Sequence, residues 1–394
     1  MRRCIYILAV LVLLQSCQEE SYDPSESFLR IYDNSSSLLS YDPIDIVETS
    51  SGYLVLSATK LDDSDFSGVQ IIALDETGNF VNEHNLADNY VSPVGDFIDL
   101  DTAYSFFAMD ESTLSTVMFS VSADLLSIQD RVVISGPAYP LSASAKSNDE
   151  ILLLTYDPDG LQTVVSRVSQ QGVMQQGVSY SIGAGSDVEE DVINHFTDPD
   201  RYKLPFFCGE IPSGQVYFNG FYNYSLSLVF SSFADAPDGV LQGQGSNGGV
   251  SMALPVETNT FALMGFQFND NFIRPHVLIN TDEISSSIDL MESTISEFNG
   301  RSPADILLWE HNDIQYVVVC GETQNRQVAL YFYDYVTSEL VGIEKIGYQN
   351  AFTPSSIKLD DENGLLILGS TYVSGRFKRI FLKKMTEKQV ANIL

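Results

Sequence analysis

A short apolar run recurs along this chain with a period near fifty residues, and each run ends in a small residue. The closing small residues are 51, 47, 54, 56, 56 and 48 residues apart. Such a period, with several short strands in each unit, is typical of the blades of a β-propeller. The runs with their closing residues are Leu54-Val55-Leu56-Ser57, Ser105-Phe106-Phe107-Ala108, Leu152-Leu153-Leu154-Thr155, Phe206-Phe207-Cys208-Gly209, Ala262-Leu263-Met264-Gly265, Val318-Val319-Cys320-Gly321 and Leu366-Ile367-Leu368-Gly369.

Continuous apolar runs indicate strands that are covered on both faces, because a strand with one wet face alternates apolar and polar residues. In a propeller the middle strands are covered by the neighbouring blades, and a small residue fits where blades converge. Turn sequences such as Asp157-Pro158-Asp159-Gly160 and Asn363-Gly364 stand between the runs. Outside the amino terminus we find no sustained helical period, so the sequence predicts an all-β fold.

The runs divide the chain into seven units, and the last unit has three strands instead of four. The segment from Ser27 to Asp33 alternates as an outer strand does, and we expect it to pair with the last unit and close a seven-bladed ring. The fourth unit is ambiguous, since Gln215 to Tyr222 can replace the Phe206 run as its middle strand, with 194–214 as an insertion. Six or eight blades are therefore alternatives. The units are 44–93, 94–140, 141–190, 191–248, 249–302, 303–354 and 355–394.

Residues 1–16 have the pattern of a signal peptide. Arg2 and Arg3 precede an apolar run, Ile5 to Leu14, that is too short to span a bilayer. The run leads into Gln15-Ser16-Cys17, which resembles the lipobox of bacterial lipoproteins, in which the cysteine after a small residue is lipidated. The resemblance implies lipidation at Cys17 by more than one acyl chain and stable attachment to a membrane. An ordinary secretory peptide is the alternative.

An acidic segment follows the cysteine. Gln18, Glu19 and Glu20 resemble the export signal of Bacteroidetes-type surface lipoproteins, which implies a body outside the cell. A solvated tether on the periplasmic face is the alternative. The chain then divides into a signal peptide at 1–16, a lipidated acidic tether at 17–26 and a single propeller domain at 27–394.

The charge of the chain limits its partners. Its 20 basic and 53 acidic residues give a net charge of −33, and loss of the first 16 residues leaves 18 basic residues and a net charge near −35. A body of this charge repels the phosphates of nucleic acids, so the sequence predicts no nucleic-acid partner.

Motifs for metal binding or covalent catalysis are not evident in the sequence. The four histidines are far apart and have no metal-ligand spacing, so we expect no metal and no cofactor. Two carboxylates can meet in a central funnel as acid and base, but the sequence singles out no pair. Cys208 and Cys320 occupy runs that look equivalent in two units, and we expect buried thiols rather than a disulfide.

One aromatic segment is the candidate binding site. Sugars and protein partners both favour exposed aromatic platforms. A buried strand has the same composition when its side chains pack in the core, so both interpretations stay open. The candidate residues are Tyr217, Phe218, Phe221, Tyr222 and Tyr224.

The unit also resembles a repeat of Bacteroidetes-type lipoproteins, in which a Gly-Tyr strand ending in Gly-Ser is followed by Asx-Gly hairpins. Ser51 to Thr59 and Asn363 to Thr371 carry the resemblance best, and the middle units carry it poorly. It implies a propeller and names no activity. We therefore expect a lipid-anchored, surface-exposed outer-membrane propeller that serves as a protein-binding scaffold in an outer-membrane complex. The alternative is a glycan-binding or glycan-active propeller with carboxylates in its central funnel.

Overall fold

The computed structural model describes residues 26–32, 39–61, 64–100, 103–122, 127–146, 150–183, 186–198, 203–372 and 377–394. The predicted signal peptide, Cys17 and the predicted export signal Gln18, Glu19 and Glu20 lie outside this described part. Most of the described residues belong to strands, as the apolar runs predict.

The strands are hydrogen-bonded into six sheets. The strands of the first half of the chain are β1 (Phe28–Tyr32), β2 (Tyr41–Thr49), β3 (Gly52–Lys60), β4 (Ser67–Leu74), β5 (Phe80–Asn85), β6 (Tyr90–Asp99), β7 (Ala103–Asp110), β8 (Ser115–Ser122), β9 (Ile128–Ala138), β10 (Pro140–Lys146), β11 (Glu150–Asp157), β12 (Gln162–Ser169) and β13 (Met174–Ser181). Those of the second half are β14 (Phe207–Glu210), β15 (Val216–Tyr222), β16 (Ser225–Ser231), β17 (Gly239–Gln242), β18 (Gly248–Pro255), β19 (Thr260–Gln267), β20 (Asp270–Leu278), β21 (Ile284–Ser286), β22 (Ala304–His311), β23 (Ile314–Glu322), β24 (Val328–Asp334), β25 (Leu340–Ile346), β26 (Phe352–Leu359), β27 (Leu365–Tyr372) and β28 (Lys378–Met385).

Consecutive antiparallel strands form groups. The eight-stranded sheet β2–β9 consists of two groups of four strands, β2–β5 and β6–β9, joined by a single residue pair, Gly68 and Val91. The strands β10–β13 and β22–β25 each form a separate four-stranded sheet, and β26–β28 form a sheet with β1. The remaining strands, β14–β17 and β18–β20, belong to a five-stranded and a three-stranded sheet, and β21 completes the former.

The apolar runs lie on the second strand of their group in six of seven cases. In β3, for example, every residue except Lys60 is buried, because neighbouring groups cover both faces of the strand. The fourth unit differs: the Phe206 run leads into β14, the first strand, and the second strand is β15. The alternative middle strand is therefore the right one, but 194–214 is not an insertion, because it contains β14, the first strand of the same sheet. Consequently Cys208 on β14 and Cys320 on β23 are not equivalent, although both are buried and free, as predicted.

The amino-terminal strand pairs with the last unit. β1 is antiparallel to β28, with Phe28 opposite Lys384 and Tyr32 opposite Ile380, which confirms the predicted pairing. One apolar cluster joins both ends of the chain, because Phe28, Tyr53 and Leu368 all belong to it. The first and last groups therefore share one core.

The fifth unit departs from the expected four strands. It contributes only β18–β20 to its own sheet, and the next strand, β21, pairs in parallel with β17 of the preceding group. Gly239 at the start of β17 permits this arrangement, because a Cβ at that position would lie 2.3 Å from the carbonyl oxygen of Thr281. A larger residue at 239 would push the incoming segment away.

The described residues include two α-helices, one between β13 and β14 and one after β28, which the sequence analysis did not predict. Helix α1 (Ser186–Thr197) packs Val188, Val192 and Phe196, spaced by four residues, into the same core as Leu152 and Val165. Helix α2 (Glu387–Ala391) begins at a capping box formed by Thr386 and Gln389. Across the described ranges, neither helix has the length and apolar character needed to cross a membrane.

The first strands of the groups face one another around a central cavity. Their neighbours in space follow the order of the chain, and β26 of the last group contacts β2 of the first. Apolar cores lie between adjacent groups, as in the cluster shared by Leu56, Phe106 and Phe119. Within the described residues, the first strand of each group thus has one edge without a strand partner, apart from the single Gly68–Val91 pair of β6, and this edge borders the cavity.

Removal of the Phe28 side chain tests the contribution of β1. Phe28 is 2% exposed and Leu29 beside it is 44% exposed. We expect Phe28→Ala to lower the free energy of unfolding by about 3–5 kcal/mol, as for other buried Phe→Ala changes. Leu29→Ala should change it by about 0.5 kcal/mol or less. Urea unfolding of both variants measures their free energies of unfolding. Equal effects of the two substitutions would show that burial of Phe28 does not stabilise the pairing of β1 with the last group.

Candidate functional site

A cavity of about 330 Å³ lies where the first strands meet. Every group contributes to its wall, and so does the segment around helix α1. Two carboxylates, Asp96 and Asp305, line it together with Ser356. Because these residues belong to the second, sixth and last groups, they occupy one continuous arc of the wall.

β-Bulges direct residues of the first strands toward the cavity. In β2, β10 and β26 the pairing with the next strand skips one residue, which is Ile44, Leu141 or Ser355 respectively. All three skipped residues line the cavity. A bulge bends the strand and re-aims a side chain, so the inner edge is shaped in the same way in three groups.

A proline precedes each of these bulges. Pro43, Pro140 and Pro354 stand 14, 15 and 15 residues before the small residues that close the runs of their units. Proline has no N–H group to donate, and it is tolerated here because the inner edge has no strand partner. This recurrence is visible in the sequence and marks the strands that face the cavity, but the sequence analysis above did not use it.

Asp45 is a fixed carboxylate buried beside the cavity, with 1% exposure. The backbone N–H of Phe97 donates to its Oδ2 at 2.7 Å, and the hydroxyl of Ser356 donates to its Oδ1 at 2.9 Å. Lys358 Nζ lies 3.3 Å from the same Oδ1. Three donors from two strands, β6 and β26, hold this side chain in place.

Lys358 joins two carboxylates of the cluster. Its Nζ lies 3.3 Å from Asp45 Oδ1 and 3.3 Å from Asp96 Oδ1. Burial by itself would lower the pKa of the Lys358 ammonium, but the charges of Asp45, Asp96 and Asp305 outweigh it and raise this pKa above its ordinary value. Lys358 is therefore charged at any physiological pH.

Asp305 has a strongly perturbed carboxyl in the cavity wall. Its Oδ1 and Oδ2 accept the backbone N–H groups of Ile306 and Ile357, each at 2.8 Å. Burial raises the pKa of Asp305 to about 7, against the lowering effect of Lys358 and these two hydrogen bonds. Near neutral pH this carboxyl is both a proton donor and a proton acceptor.

Asp96 faces the cavity, and few cations or hydrogen-bond donors offset the negative charge of its carboxylate. Its side chain is 55% exposed, yet the protein surrounds it densely enough that desolvation raises its pKa. Lys358 lowers this pKa and Asp45 raises it further. In the described part of the chain, Asp96 Oδ2 has no hydrogen-bond donor.

The remaining arc of the wall is aromatic and apolar. Phe206, Phe207 and Tyr217 line it together with Leu141 and Met252. Tyr217 is only 7% exposed, and its hydroxyl has no hydrogen-bond partner among the described residues. Burial raises the pKa of the Tyr217 phenol, and the charges of Cys208 and Asp96 raise it further. This hydroxyl therefore stays protonated and has a donor to offer.

The end of helix α1 forms part of the same wall. His195 and Phe196 line the cavity, and the rings of His195 and Phe206 meet edge to face at 4.9 Å. Leu204 N donates to His195 Nδ1 at 3.1 Å, so the ring proton is on Nε2. Burial, followed by the charge of Lys203, lowers the pKa of His195 to about 3. His195 is therefore neutral.

Lys203 ties this segment to the helix. Its Nζ donates to the carbonyl oxygen of His195 at 2.5 Å, which caps the helix carbonyls with a positive charge. Lys203 also lines the cavity, and burial lowers the pKa of its ammonium. The helix end and residues 203–206 thus add one cation and two aromatic side chains to the wall.

The five aromatic residues singled out by sequence are not brought together. Tyr217 lines the cavity, whereas Phe218 and Phe221 are buried in the core, at 0% and 1% exposure. Tyr222 packs on Tyr180, and Tyr224 at the tip of the β15–β16 hairpin is 53% exposed. Core packing therefore accounts for Phe218 and Phe221, and only Tyr217 belongs to the cavity.

The described residues contain no group of three or more histidine, cysteine or acidic side chains arranged to hold a metal ion. Cys208 lines the cavity, but burial raises the pKa of its thiol to about 11. A thiol with so high a pKa is a poor nucleophile. The chemistry of the wall therefore rests on its carboxyl groups.

Comparison with known proteins supports the fold and not a function. No family model matches the sequence, and no curated protein is detectably similar. Among solved structures, oligogalacturonate lyase in complex with manganese is 10% identical, with 92% of this chain and 98% of that chain covered and a TM-score of 0.51. The Dos1 propeller is 9% identical (91% and 95% covered, TM-score 0.49), and the propeller domain of the trilobed protease from Pyrococcus furiosus is 10% identical (91% and 95%, TM-score 0.46).

The strand topology and this similarity define the protein as a β-propeller, so the predicted all-β propeller class is confirmed. At such identities the similarity concerns the fold alone. Function must be argued from the cavity itself.

The raised pKa of Asp305 predicts a pH-dependent loss of stability. Its carboxyl ionises near pH 7 in the folded protein, but near about 3.9 in an unfolded chain. Between these values the folded state binds more protons, so the favourable contribution of Asp305 is complete below pH ~4 and is lost as the pH rises through 7. We expect Tm to fall less between about pH 5 and about pH 8 in Asp305→Asn than in the wild type.

Calorimetry across this pH range measures how steeply Tm changes with pH in the wild type and in Asp305→Asn. Asp313→Asn, on an exposed hairpin, is the matched control and should keep the wild-type slope. Equal slopes for all three proteins would show that Asp305 ionises normally in the folded state.

Proposed function

We propose that this protein is a seven-bladed, lipid-anchored propeller at the outer-membrane surface and that its central cavity binds a sugar-sized ligand. Glycan binding, the alternative given by the sequence, is thus proposed as the main function, and protein scaffolding becomes the second candidate. The observation that carries it is a cavity with carboxyl groups on one arc and aromatic side chains on the other.

The strand groups support the count of seven. The eight-stranded sheet is held together by one residue pair, so it counts as two blades, and the other five sheets count as one each. Pairing of β1 with β28 supports closure of the ring by both chain ends. The displaced β21 changes the composition of two blades and not their number.

The chemistry of the wall suits a sugar ring. Carboxylates and hydroxyls, as at Asp96, Asp305 and Ser356, accept hydrogen bonds from ligand hydroxyls. Aromatic side chains such as Phe207 and Tyr217 pack against the apolar face of a ring. Binding sites of this kind are concave, largely apolar and contain a few directed polar groups. A volume of about 330 Å³ suits one sugar unit better than a long chain.

A variant that fills the cavity tests the binding site. Ser355 is the bulged residue of β26 and lines the cavity, so Ser355→Trp should occupy the ligand volume. Val336→Trp, at a position that is 84% exposed, is the matched control. We expect one or more members of a set of mono- and disaccharides to raise Tm of the wild type and of Val336→Trp, but not of Ser355→Trp. If no saccharide raises the Tm of the wild type, or if a saccharide raises the Tm of all three proteins equally, the proposal is wrong.

The lipid anchor has its own test. Cys17→Ser removes the acceptor thiol, so we expect loss of labelled palmitate from the protein and its release from the membrane fraction. Cys4→Ser, inside the proposed signal peptide, is the control and should keep the label. Protease treatment of intact cells then separates surface exposure from the periplasmic alternative, because a periplasmic protein survives it. A Cys17→Ser protein that retains the label would disprove anchoring at this residue.

A partner protein is the second candidate function. Tyr224, Phe268 and Tyr348 are 53%, 62% and 93% exposed. Tyr224 and Phe268 are at hairpins between second and third strands, and Tyr348 is in a link between groups. In an up-and-down arrangement these connections share one face of the propeller. Co-purification from detergent-solubilised membranes, compared with a Tyr224→Ala and Phe268→Ala double variant, tests whether this face holds a subunit of an outer-membrane complex.

A further inference from the structure

The carboxyl arc of the cavity carries more negative than positive charge. Asp45, Asp96 and Asp305 face a single ammonium, Lys358, which already contacts two of them. Of the other titratable groups around the cavity, His195 is neutral and Lys203 is bound to helix carbonyls. Even when Asp305 is protonated, Asp45 and Asp96 share the single ammonium of Lys358, so the carboxyl arc is short of positive charge.

The hydrogen bonds leave one carboxylate oxygen available to a ligand. Both oxygens of Asp305 accept backbone N–H groups, and those of Asp45 accept from Phe97 and Ser356. Asp96 Oδ2 has no such donor within the described ranges. A positively charged hydrogen-bond donor in the cavity would complete this carboxylate, and charge-assisted bonds of this kind are the strong ones.

The aromatic arc independently indicates a ligand. Tyr217 is more than nine-tenths buried, lines the cavity and has a hydroxyl without a partner in the described part of the chain. Its ring and those of Phe206 and Phe207 present electron-rich faces, which attract cations. A neutral sugar would form a hydrogen bond with the Tyr217 hydroxyl but would not offset the negative charge of the carboxyl arc. An anionic sugar would increase that negative charge.

We propose that the cavity selects a sugar that carries a protonated amine, with the ammonium group at Asp96 and the ring against the aromatic arc around Tyr217. This inference rests on the proposed function, because it assumes that the cavity is the sugar site. The new part of the inference is that the bound sugar is positively charged. Burial raises the pKa values of Asp96 and Asp305, and Lys358 offsets this effect only in part, which agrees with a site that can accept a further cation.

Three sugars of one ring shape test this selection. D-glucosamine carries an ammonium group, D-glucose is neutral and D-glucuronate is anionic. Isothermal titration of the full-length protein in detergent at about pH 6.5, below the folded-state pKa of Asp305, compares them while the amine is protonated. We expect D-glucosamine to bind at least about tenfold more tightly than D-glucose. D-glucuronate should show no measurable binding.

Variants assign the preference to Asp96. Asp96→Asn keeps the shape of the side chain and removes its charge, so the affinity ratio of D-glucosamine to D-glucose should fall to about one. Asp313→Asn, on an exposed hairpin, is the control and should keep the wild-type ratio. Circular dichroism spectra and Tm values equal to those of the wild type show that both variants are folded.

The outcomes separate this inference from the function beneath it. Equal or tighter binding of D-glucose overturns the amine and leaves the sugar site in place. An unchanged ratio in Asp96→Asn also overturns it. Binding of none of the three, together with no response to the broader saccharide set, overturns the proposed function as well. A response to Ca²⁺ or Mn²⁺ alone that Asp96→Asn abolishes would assign the charge deficit to a metal ion and reject the amine.

Discussion

The pairing of β1 with β28 is the contact on which the arrangement depends, because it joins the two ends of the chain in one sheet. Buried polar contacts reinforce this seam. Lys384 on β28 is 7% exposed, and its Nζ lies 3.2 Å from the hydroxyl of Tyr53 and 3.3 Å from Asp360. Burial lowers the pKa of Lys384, but these partners and Glu48 raise it overall to about 12. The ammonium therefore stays charged where the first and last groups meet.

Contact between the first and last groups also assembles the candidate site. Asp45 and Asp96 belong to the first two groups, whereas Asp305, Ser356 and Lys358 come from the last two. The Ser356–Asp45 hydrogen bond and the Lys358–Asp45 ion pair both cross the seam. Contacts between the first and last groups thus contribute to the geometry of the cavity.

Electrostatics at the cavity oppose stability. Ionised Asp305 is disfavoured by burial, and its raised pKa means that folding becomes less favourable as this group loses its proton. A site that held such carboxyls for structure alone would be expected to pair each with a cation, as Lys384 does for Asp360 at the seam. The cavity pairs them incompletely. Incomplete pairing around an accessible volume is characteristic of binding and catalytic sites rather than of cores.

The sequence by itself determined the period, the buried second strands and the partner of the amino-terminal strand. Each of these depends on local patterns: continuous apolar residues at Leu54 or Leu366, and alternation from Phe28 to Tyr32. It also contained signals that local analysis overlooked, such as the four-residue spacing of Val188, Val192 and Phe196 in helix α1.

Tertiary structure decided the rest. The displacement of β21 depends on space beside Gly239, which no local pattern reports. The cluster of three carboxyl groups and one ammonium joins residues 45, 96, 305 and 358, and their proximity arises only when the first, second, sixth and last groups pack together. Among 53 acidic residues, the sequence had no means to single out these three carboxylates, because burial and long-range neighbours, rather than residue type, set their charge and their role.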